Sequence, residues 1–254
     1  MILDRFRLDD QVAVVTGAGR GLGAAMALAF AEAGADVLIA ARTQSQLEEV
    51  AEQIAGTGRR AHIVVADLAH SEDTAALAAQ AKEAFGRLDI VVNNVGGTMP
   101  NALLNTSAKD MRDAFAFNVA TAHALTVAAV PLMLEGSGGG SIINVASING
   151  VSPGNFQGIY SITKGAVINM TKAFAKECAQ FGIRCNALLP GLTDTKFASA
   201  LVKNDSILQM ALQHIPLSRV AQPSEMAGAV LYLASEASSY TTGVSLNVDG
   251  GYLA

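Results

Sequence analysis

The chain has 254 residues, 51% apolar and 15% charged, with 24 Gly and 6 Pro. It can therefore bury a large core and is neither disordered nor collagen-like. Its 17 basic and 22 acidic residues leave a formal charge of −5; no Lys/Arg cluster offers a nucleic-acid surface, and the 5% aromatic content without Trp argues against an aromatic-lined sugar or peptide groove.

The opening MILDRFRLDDQ places acidic residues where a secretory signal would be apolar. No apolar run approaches the roughly 18 residues of a membrane span. A soluble cytoplasmic protein without membrane or nucleic-acid partners is expected. A strand is predicted at 11–15, followed by the string TGAGRGLG and an Ala-rich helix to about 33. Strands at 37–40, 61–66 and 89–92 alternate with helices at 44–55 and 73–85. A long helix is expected from about 107 to 134, a strand at 141–145, a helix from about 160 to 181, and a strand at 183–188. Residues 223–234 are helical and 244–248 form the last strand. Short strands alternating with helices mean βαβ units and a parallel sheet. Their continuous apolar runs mean that helices cover both faces. No linker divides the chain, so residues 1–254 form one domain, and 136–140 is a helix-to-strand turn. Residues 193–215 interrupt the alternation and are the expected substrate loop or lid.

Cys178 and Cys185 form no CxxC, and His62, His70, His123 and His214 are scattered without HExxH, so no metal site is expected. TGAGRGLG, at 16–23, lies between a strand and a helix. Glycines there let the backbone approach a pyrophosphate, and the helix start supplies free N–H groups. An acidic residue about 20 positions on would bind ribose hydroxyls. Asp36 precedes its strand and would sit at the wrong end of the sheet. The strand's carboxyl end instead carries Ala41 and Arg42, and Arg20 lies in the glycine turn. Two guanidiniums without a carboxylate favour a ribose 2′-phosphate, hence NADP(H) over NAD(H), unless both are merely solvated helix-start residues.

YSITK puts Tyr160 and Lys164 four apart on one helix face. A phenol has a free pKa of about 10, and a nearby ammonium would lower it toward a working range. By spacing alone such a pair is more often a surface pair. Ser147 follows the fifth strand and is placed to bind the same substrate oxygen. Asn118 falls mid-helix, where Asn is disfavoured, so an interruption is expected there.

Together these residues resemble the short-chain dehydrogenase/reductase family over essentially the whole chain. TGAGRGLG is similar to the family's TGxxxGxG, which implies pyrophosphate and turn roles for Thr16, Gly17, Gly21 and Gly23, with Leu22 between them. Asp67, in ADL with Leu68, matches the residue that binds the adenine amino group. NNVG resembles NNAG, which places Asn94 and Gly96 on the adenosine side, with Val95 for the usual Ala. The resemblance implies a catalytic tetrad of Asn118, Ser147, Tyr160 and Lys164. Tyr160 would be the acid/base, Ser147 would hold the carbonyl oxygen, and Lys164 would bind the nicotinamide ribose. Asn118 would hold a water. Pro190, Gly191, Thr193 and Thr195 match the carboxamide-binding segment, with Thr193 where Ile or Val is usual. NVDGG resembles the family's C-terminal signature. The second half, from FQGIYSITK onward, resembles the NADP-dependent carbonyl reductase and retinol dehydrogenase branch.

The implied fold is an α/β Rossmann-like, doubly wound, seven-stranded parallel sheet of order 3-2-1-4-5-6-7. The implied activity is NADP(H)-dependent hydride transfer between the nicotinamide and a lipophilic ketone, aldehyde or secondary alcohol. The substrate pocket is expected near 97–101, 148–157 and 193–214, including Met99, Phe156, Phe197, Leu201 and Met210. The two long helices resemble those that pair in family tetramers, so a homotetramer is expected. Two alternatives stand beside this. One is a 3-oxoacyl-[acyl-carrier-protein] reductase, for which Lys109, Arg112, Lys172 and Lys176 are the candidate docking residues. The other is a non-catalytic NADP-binding sensor.

Overall fold

The computed structural model describes residues 1–136, 138–202 and 204–254, with the side chains of 200 and 201 left out. Seven parallel strands form one sheet in the order β3-β2-β1-β4-β5-β6-β7. In chain order the elements are β1 (Val12–Thr16), α1 (Gly21–Glu32), β2 (Asp36–Ala41), α2 (Gln44–Gly56), β3 (Ala61–Val65), α3 (Ser71–Phe85) and β4 (Ile90–Asn93). Then come α4 (Ala108–Phe115), α5 (Thr121–Gly136), β5 (Gly140–Val145), α6 (Gly158–Cys178) and β6 (Ile183–Pro190). The chain ends with α7 (Ser199–Val202), α8 (Asp205–Leu212), α9 (Ser224–Ala234) and β7 (Ser245–Val248).

Strand periodicity divides the core. In β1, Val12 and Val14 pack with Leu77, Leu125 and Met133 on the face of α3, α5 and α6. Ala13 and Val15 pack with Phe30, Leu47 and Val230 on the face of α1, α2 and α9. Every residue of β1 is buried, which accounts for its unbroken apolar run: neither face meets water. Edge strand β3 has no fully buried residue: Ala61, Ile63 and Val64 are half-buried and His62 and Val65 exposed.

The long helix expected at 107–134 is interrupted. Ser107 opens α4 with a capping box to Asp110. Residues Ala116–Ala120 then form a π-turn, in which the Thr121 N–H reaches back five residues to the Ala116 carbonyl. Asn118 sits inside that turn, so the expected break falls at the residue that suggested it. The stretch Ala108–Gly136 is 29 residues long with a mean hydropathy of 1.6 over its most apolar window. It is thus apolar enough to match a membrane span in length and composition, contrary to the sequence expectation. Here it packs on α3 and the sheet through Leu125, Ala129 and Met133. The helix expected at 160–181 begins two residues earlier and relaxes to a 3₁₀ turn, Ala179–Phe181, before Gly182 at φ +71°. Within 193–215 lie the short helices α7 and α8, and its only strand-like contact among the described residues is the bridge from Thr193 to Ala221.

Candidate active site

The carboxyl ends of β1, β2, β4, β5 and β6 converge on one edge of the molecule. At β1, Thr16 donates from Oγ1 to the Val92 carbonyl (3.2 Å) and accepts from the amides of Asn94 (2.9 Å) and Val95 (3.2 Å). Asn94 donates from Nδ2 to the carbonyls of Thr16 (2.9 Å) and Gly17 (3.4 Å), so its side chain splints the glycine turn. Gly17 and Gly21 have φ of +66° and +57°, a region that side chains disfavour. At Gly23 a Cβ would lie 2.3 Å from the Gly17 carbonyl oxygen. Arg20 precedes α1; among the described residues no side chain caps that helix start, and its first turn holds no acidic residue. Open N–H groups and a positive dipole end therefore face the bare glycine turn, which suits a phosphate group. Leu22 is half-buried against the core.

Gly19 of the turn lies against Ala41 and Gln46, bringing Arg20 and Arg42 to one corner. Both are exposed, and among the described residues neither side chain makes a hydrogen bond or ion pair. Asp36 sits at the opposite end of β2, buried and ion-paired with Arg59 at 3.1 Å and with Arg60 at 2.5 Å. Burial works to raise its carboxyl pKa, but the hydrogen bonds from Arg60 and the charges of both arginines more than offset that and hold it low. Asp67 is exposed and accepts from the Ala69 amide at 3.2 Å. Leu68 turns its side chain into the core, so only its backbone is available to a ligand.

Tyr160 and Lys164 lie one turn apart on α6, both buried. Lys164 donates from Nζ to the Val145 carbonyl at 2.7 Å, and Nζ stands 5.7 Å from the Tyr160 ring centroid. The Ser147 side chain faces the Tyr160 hydroxyl and acts on its titration as a hydrogen-bond partner. Ser147 Oγ also accepts from the Asn149 amide at 3.1 Å. Asn118 accepts on Oδ1 from the Gly97 amide (2.6 Å) and donates from Nδ2 to the Gly97 carbonyl (3.3 Å) and to Thr163 Oγ1 (3.2 Å). At Gly96 a Cβ would stand 2.8 Å from Asn118 Oδ1 and 2.9 Å from Lys164 Nζ. Only a bare backbone fits against both groups.

Burial pushes the Tyr160 phenol up to about 12, with the Ser147 hydrogen bond acting against it, and lowers the Lys164 ammonium to about 8. This corrects the expectation that Lys164 would lower Tyr160. The ammonium is engaged with the Val145 carbonyl, so desolvation dominates the phenol.

Pro190 and Gly191 end β6. A Cβ on Gly191 would lie 2.6 Å from Asp249 Cα, so the NVDGG segment packs directly on this turn. Thr193 is buried and donates to the Gly191 carbonyl at 3.1 Å. Thr195 approaches Gly21 from across the cleft. The loop is held at one end by paired bonds between 192–194 and Ala221, and at the other by the Leu217 amide on the Gly250 carbonyl, 3.0 Å. Phe197 lies over Tyr160 with ring centroids 5.6 Å apart.

A cleft of about 440 Å³ adjoins this group, lined by Gly97, Thr98, Met99, Asn101, Asp110, Asp113, Phe117, Phe156, Gln157 and Ile159 among others. Met99 and Phe156 line it as expected. Met210 does not, and the Leu201 side chain lies outside the described residues. The lining is more polar than its sequence suggested. Gln157 lines the cleft within the expected stretch 148–157, and Asn149 of the same stretch lies against it; Thr163 was missed, because a helical Thr carries no spacing signal. Among the described residues no group of three His, Cys, Asp or Glu side chains is placed to hold a metal ion.

A doubly wound parallel sheet, a glycine-rich turn opening on a helix start, and a Ser–Tyr–Lys group at the same strand ends define a dinucleotide-dependent oxidoreductase. A family model described as enoyl-(acyl carrier protein) reductase matches residues 17–253. An uncharacterized oxidoreductase of Mycobacterium tuberculosis is 59% identical over 252 residues, covering 99% of this chain and 95% of that protein. A crystal structure of gluconate 5-dehydrogenase from Burkholderia cenocepacia, in complex with NADP and tartrate, superposes with a TM-score of 0.93 at 33% identity, covering 100% of this chain and 99% of the other. A 7α-hydroxysteroid dehydrogenase complexed with NADH and 7-oxo glycochenodeoxycholic acid gives a TM-score of 0.93 at 32% identity, covering 98% and 96%. The chain belongs to the short-chain dehydrogenase/reductase family and is an oxidoreductase of that type.

Proposed function

We propose that the protein is an NADP(H)-dependent carbonyl reductase or alcohol dehydrogenase acting on a neutral, largely lipophilic ketone, aldehyde or secondary alcohol. The observation that carries the reading is the grouping of the buried Tyr160 phenol with Ser147 and Lys164, next to the cleft that Gly97 and Ile159 line. When bound, the dinucleotide supplies or accepts the hydride. Ser147, fixed by the Asn149 amide, holds the substrate oxygen with a preorganised hydrogen bond. Tyr160, whose burial keeps the phenol protonated up to about 12, gives its proton to that oxygen. This protonation state suits the reductive direction at neutral pH. Lys164 and Asn118 line the space beside Gly96 and bind the ribose side and its water.

Thr16, Gly17, Gly21, Gly23 and the start of α1 hold the pyrophosphate, and Asn94 keeps that turn in shape. Asp67 and the Leu68 backbone take the adenine, and Gly191, Thr193 and Thr195 the carboxamide. The free guanidiniums of Arg20 and Arg42, with no carboxylate at the end of β2, favour a 2′-phosphate. Residues 1–254 act as one unit with 193–215 as its lid.

An acyl-carrier substrate is less suited. Lys109 is ion-paired with Asp113, and the charged side chains lining the cleft are carboxylates. A silent sensor would not need the Ser147–Tyr160 arrangement. We further propose a cytoplasmic homotetramer. Val127, Leu134, Ile162 and Phe181, on α5, on α6 and just beyond it, are apolar yet exposed; a light-scattering mass equal to the 26.1 kDa chain would overturn that state. The function is tested by purified protein with NADPH and NADH in parallel against aryl ketones, ketosteroids, retinal and acetoacetyl thioesters. Ketone turnover with NADPH above NADH is expected; tight NADPH binding with no turnover of any carbonyl would overturn the reading.

A further inference from the structure

Gln157 stands one turn before Tyr160 and plays no part in the tetrad. It is half-buried, lines the cleft, and is the cap residue of α6, accepting the Ser161 amide on its carbonyl at 2.8 Å. Its side-chain Oε1 accepts from Asn149 Nδ2 at 2.9 Å. Nε2, with two N–H donors, is left without a partner among the described residues.

The backbone around Gln157 is equally constrained. Asn101 bridges to Gln157, and the Asn101 amide donates to the Phe156 carbonyl at 2.8 Å. Phe156 itself is held at φ +59°, a left-handed conformation rare for a bulky side chain and maintained only where surrounding contacts determine it. Asn149 performs two tasks. Its amide N–H holds Ser147 Oγ, and its side chain holds Gln157. One residue thus sets both the oxygen-binding hydroxyl and a second, outlying donor.

We infer that Gln157 is a specificity-determining residue whose amide N–H₂ donates to a second, neutral oxygen of the substrate, away from the reacting carbonyl. This rests on the carbonyl-reductase reading above. Met99, Phe117, Phe156 and Ile159 supply the apolar walls, so the body between the two oxygens is apolar. The oxygen is neutral because the charged side chains lining the cleft are Asp110 and Asp113, and no Lys or Arg lies among the lining residues described. A substrate carboxylate would meet the charge of Asp110, and Lys109 on the same helix is already paired with Asp113. The substrate class is a ketone carrying a hydroxyl, ether, ester or second keto oxygen. Asn149 is the positioning residue for this donor.

The experiment uses acetophenones carrying a methoxy, an ethyl or a carboxylate group at the meta or para ring position. Methoxy and ethyl match in size and differ in the acceptor oxygen. In the unmodified enzyme kcat/KM is expected to favour methoxy over ethyl and to be lowest for the carboxylate. In Gln157→Met, and in the isosteric Gln157→Glu, the methoxy/ethyl ratio is expected to fall about tenfold, a loss carried by KM and on the scale of one hydrogen bond. Using a ratio removes the ring substituents' effect on carbonyl reactivity and any general loss of folded enzyme. Methoxy and ethyl substrates falling together, or a ratio unchanged in both variants, would overturn the inference while leaving the reductase reading intact. A carboxylate turned over as well as the methoxy compound would overturn the neutral-oxygen assignment. Turnover of none of the ketones by the unmodified enzyme would overturn the reductase reading itself, and this inference with it.

Discussion

Lys164 donates from Nζ to the carbonyl oxygen of Val145 at 2.7 Å, tying α6 to the end of β5 two residues before Ser147. The ammonium is buried, and desolvation lowers its pKa from 10.5 to about 8. The unfolded chain therefore binds more protons than the folded one between those values. Stability should rise with pH through that window and be lost again as pH falls through about 8. The difference is worth up to about 3 kcal/mol. Tyr160 acts in the opposite sense. Its pKa is raised from 10.0 to about 12, so its contribution is present below pH 10 and lost as pH rises toward 12. The buried Cys185 and Cys178 thiols, both raised from 9.0 by desolvation, likewise lose their contribution above pH 9, so the clean window is about pH 8 to 9. Urea midpoints at pH 7.5, 8.25 and 9 should climb for the unmodified protein and stay flat for Lys164→Met. An equal climb in that variant would show that the slope originates elsewhere.

Tyr160→Phe removes the proton and the hydrogen bond to Ser147 while keeping the ring that packs against Phe197. Carbonyl reduction should fall by about 10² to 10⁴, the usual range for losing a general acid. Dinucleotide binding, followed by titration of nicotinamide fluorescence, should stay close to that of the unmodified protein. A variant retaining most of its turnover would remove Tyr160 from the proton-transfer role.

The parallel sheet is legible in the sequence because it rests on local signals, whereas its strand order and the candidate tetrad come with the family resemblance that such motifs carry. Apolar runs alternating with amphipathic ones give βαβ units, and Tyr160, Lys164 and the glycine turn belong to short motifs. Even the break at Asn118 could be read, since a polar side chain mid-helix competes for backbone partners. What escaped depends on contacts between distant segments. Nothing local to Val145 says that its carbonyl will receive Lys164. Nothing in Gly150 says that a Cβ there would meet the α6 backbone at 2.8 Å. The charges in the cleft were missed for the same reason. Asp110 and Asp113 look like solvated helix positions until α4 is seen to form one wall. The direction of the Tyr160 shift was misread because sequence proximity to Lys164 is visible and burial is not.

Arg20 and Arg42 are exposed and unpaired among the described residues, at the corner where Gly19 meets Ala41. If they grip a 2′-phosphate, Arg42→Ala and Arg20→Ala should each lower kcat/KM for NADPH about tenfold, the scale of one charge-assisted hydrogen bond. The values for NADH should change far less, so the cofactor ratio is the sensitive readout. Parallel loss with both dinucleotides would mean that these arginines act on the shared pyrophosphate. No loss with either would make them ordinary solvated residues.

Gly23→Ala isolates the close contact that lets α1 settle on the glycine turn. By intrinsic propensity Ala should stabilise a helix over Gly by up to about 1 kcal/mol. The added Cβ, however, would lie 2.3 Å from the Gly17 carbonyl oxygen and 2.8 Å from Asn94 Nδ2. The first of these is backbone and cannot swing aside, so overpacking of about 1–3 kcal/mol is expected to win. The displaced turn should also weaken dinucleotide binding about tenfold or more. Gly228→Ala is the control, since Gly228 is exposed on α9 and nothing lies within 4 Å of its Cβ position. That variant should gain stability by the propensity term alone. Denaturant midpoints that move in opposite directions for the two variants would confirm that Gly23 is required by proximity. A Gly23→Ala protein as stable as Gly228→Ala would show that α1 can shift away from the turn without penalty.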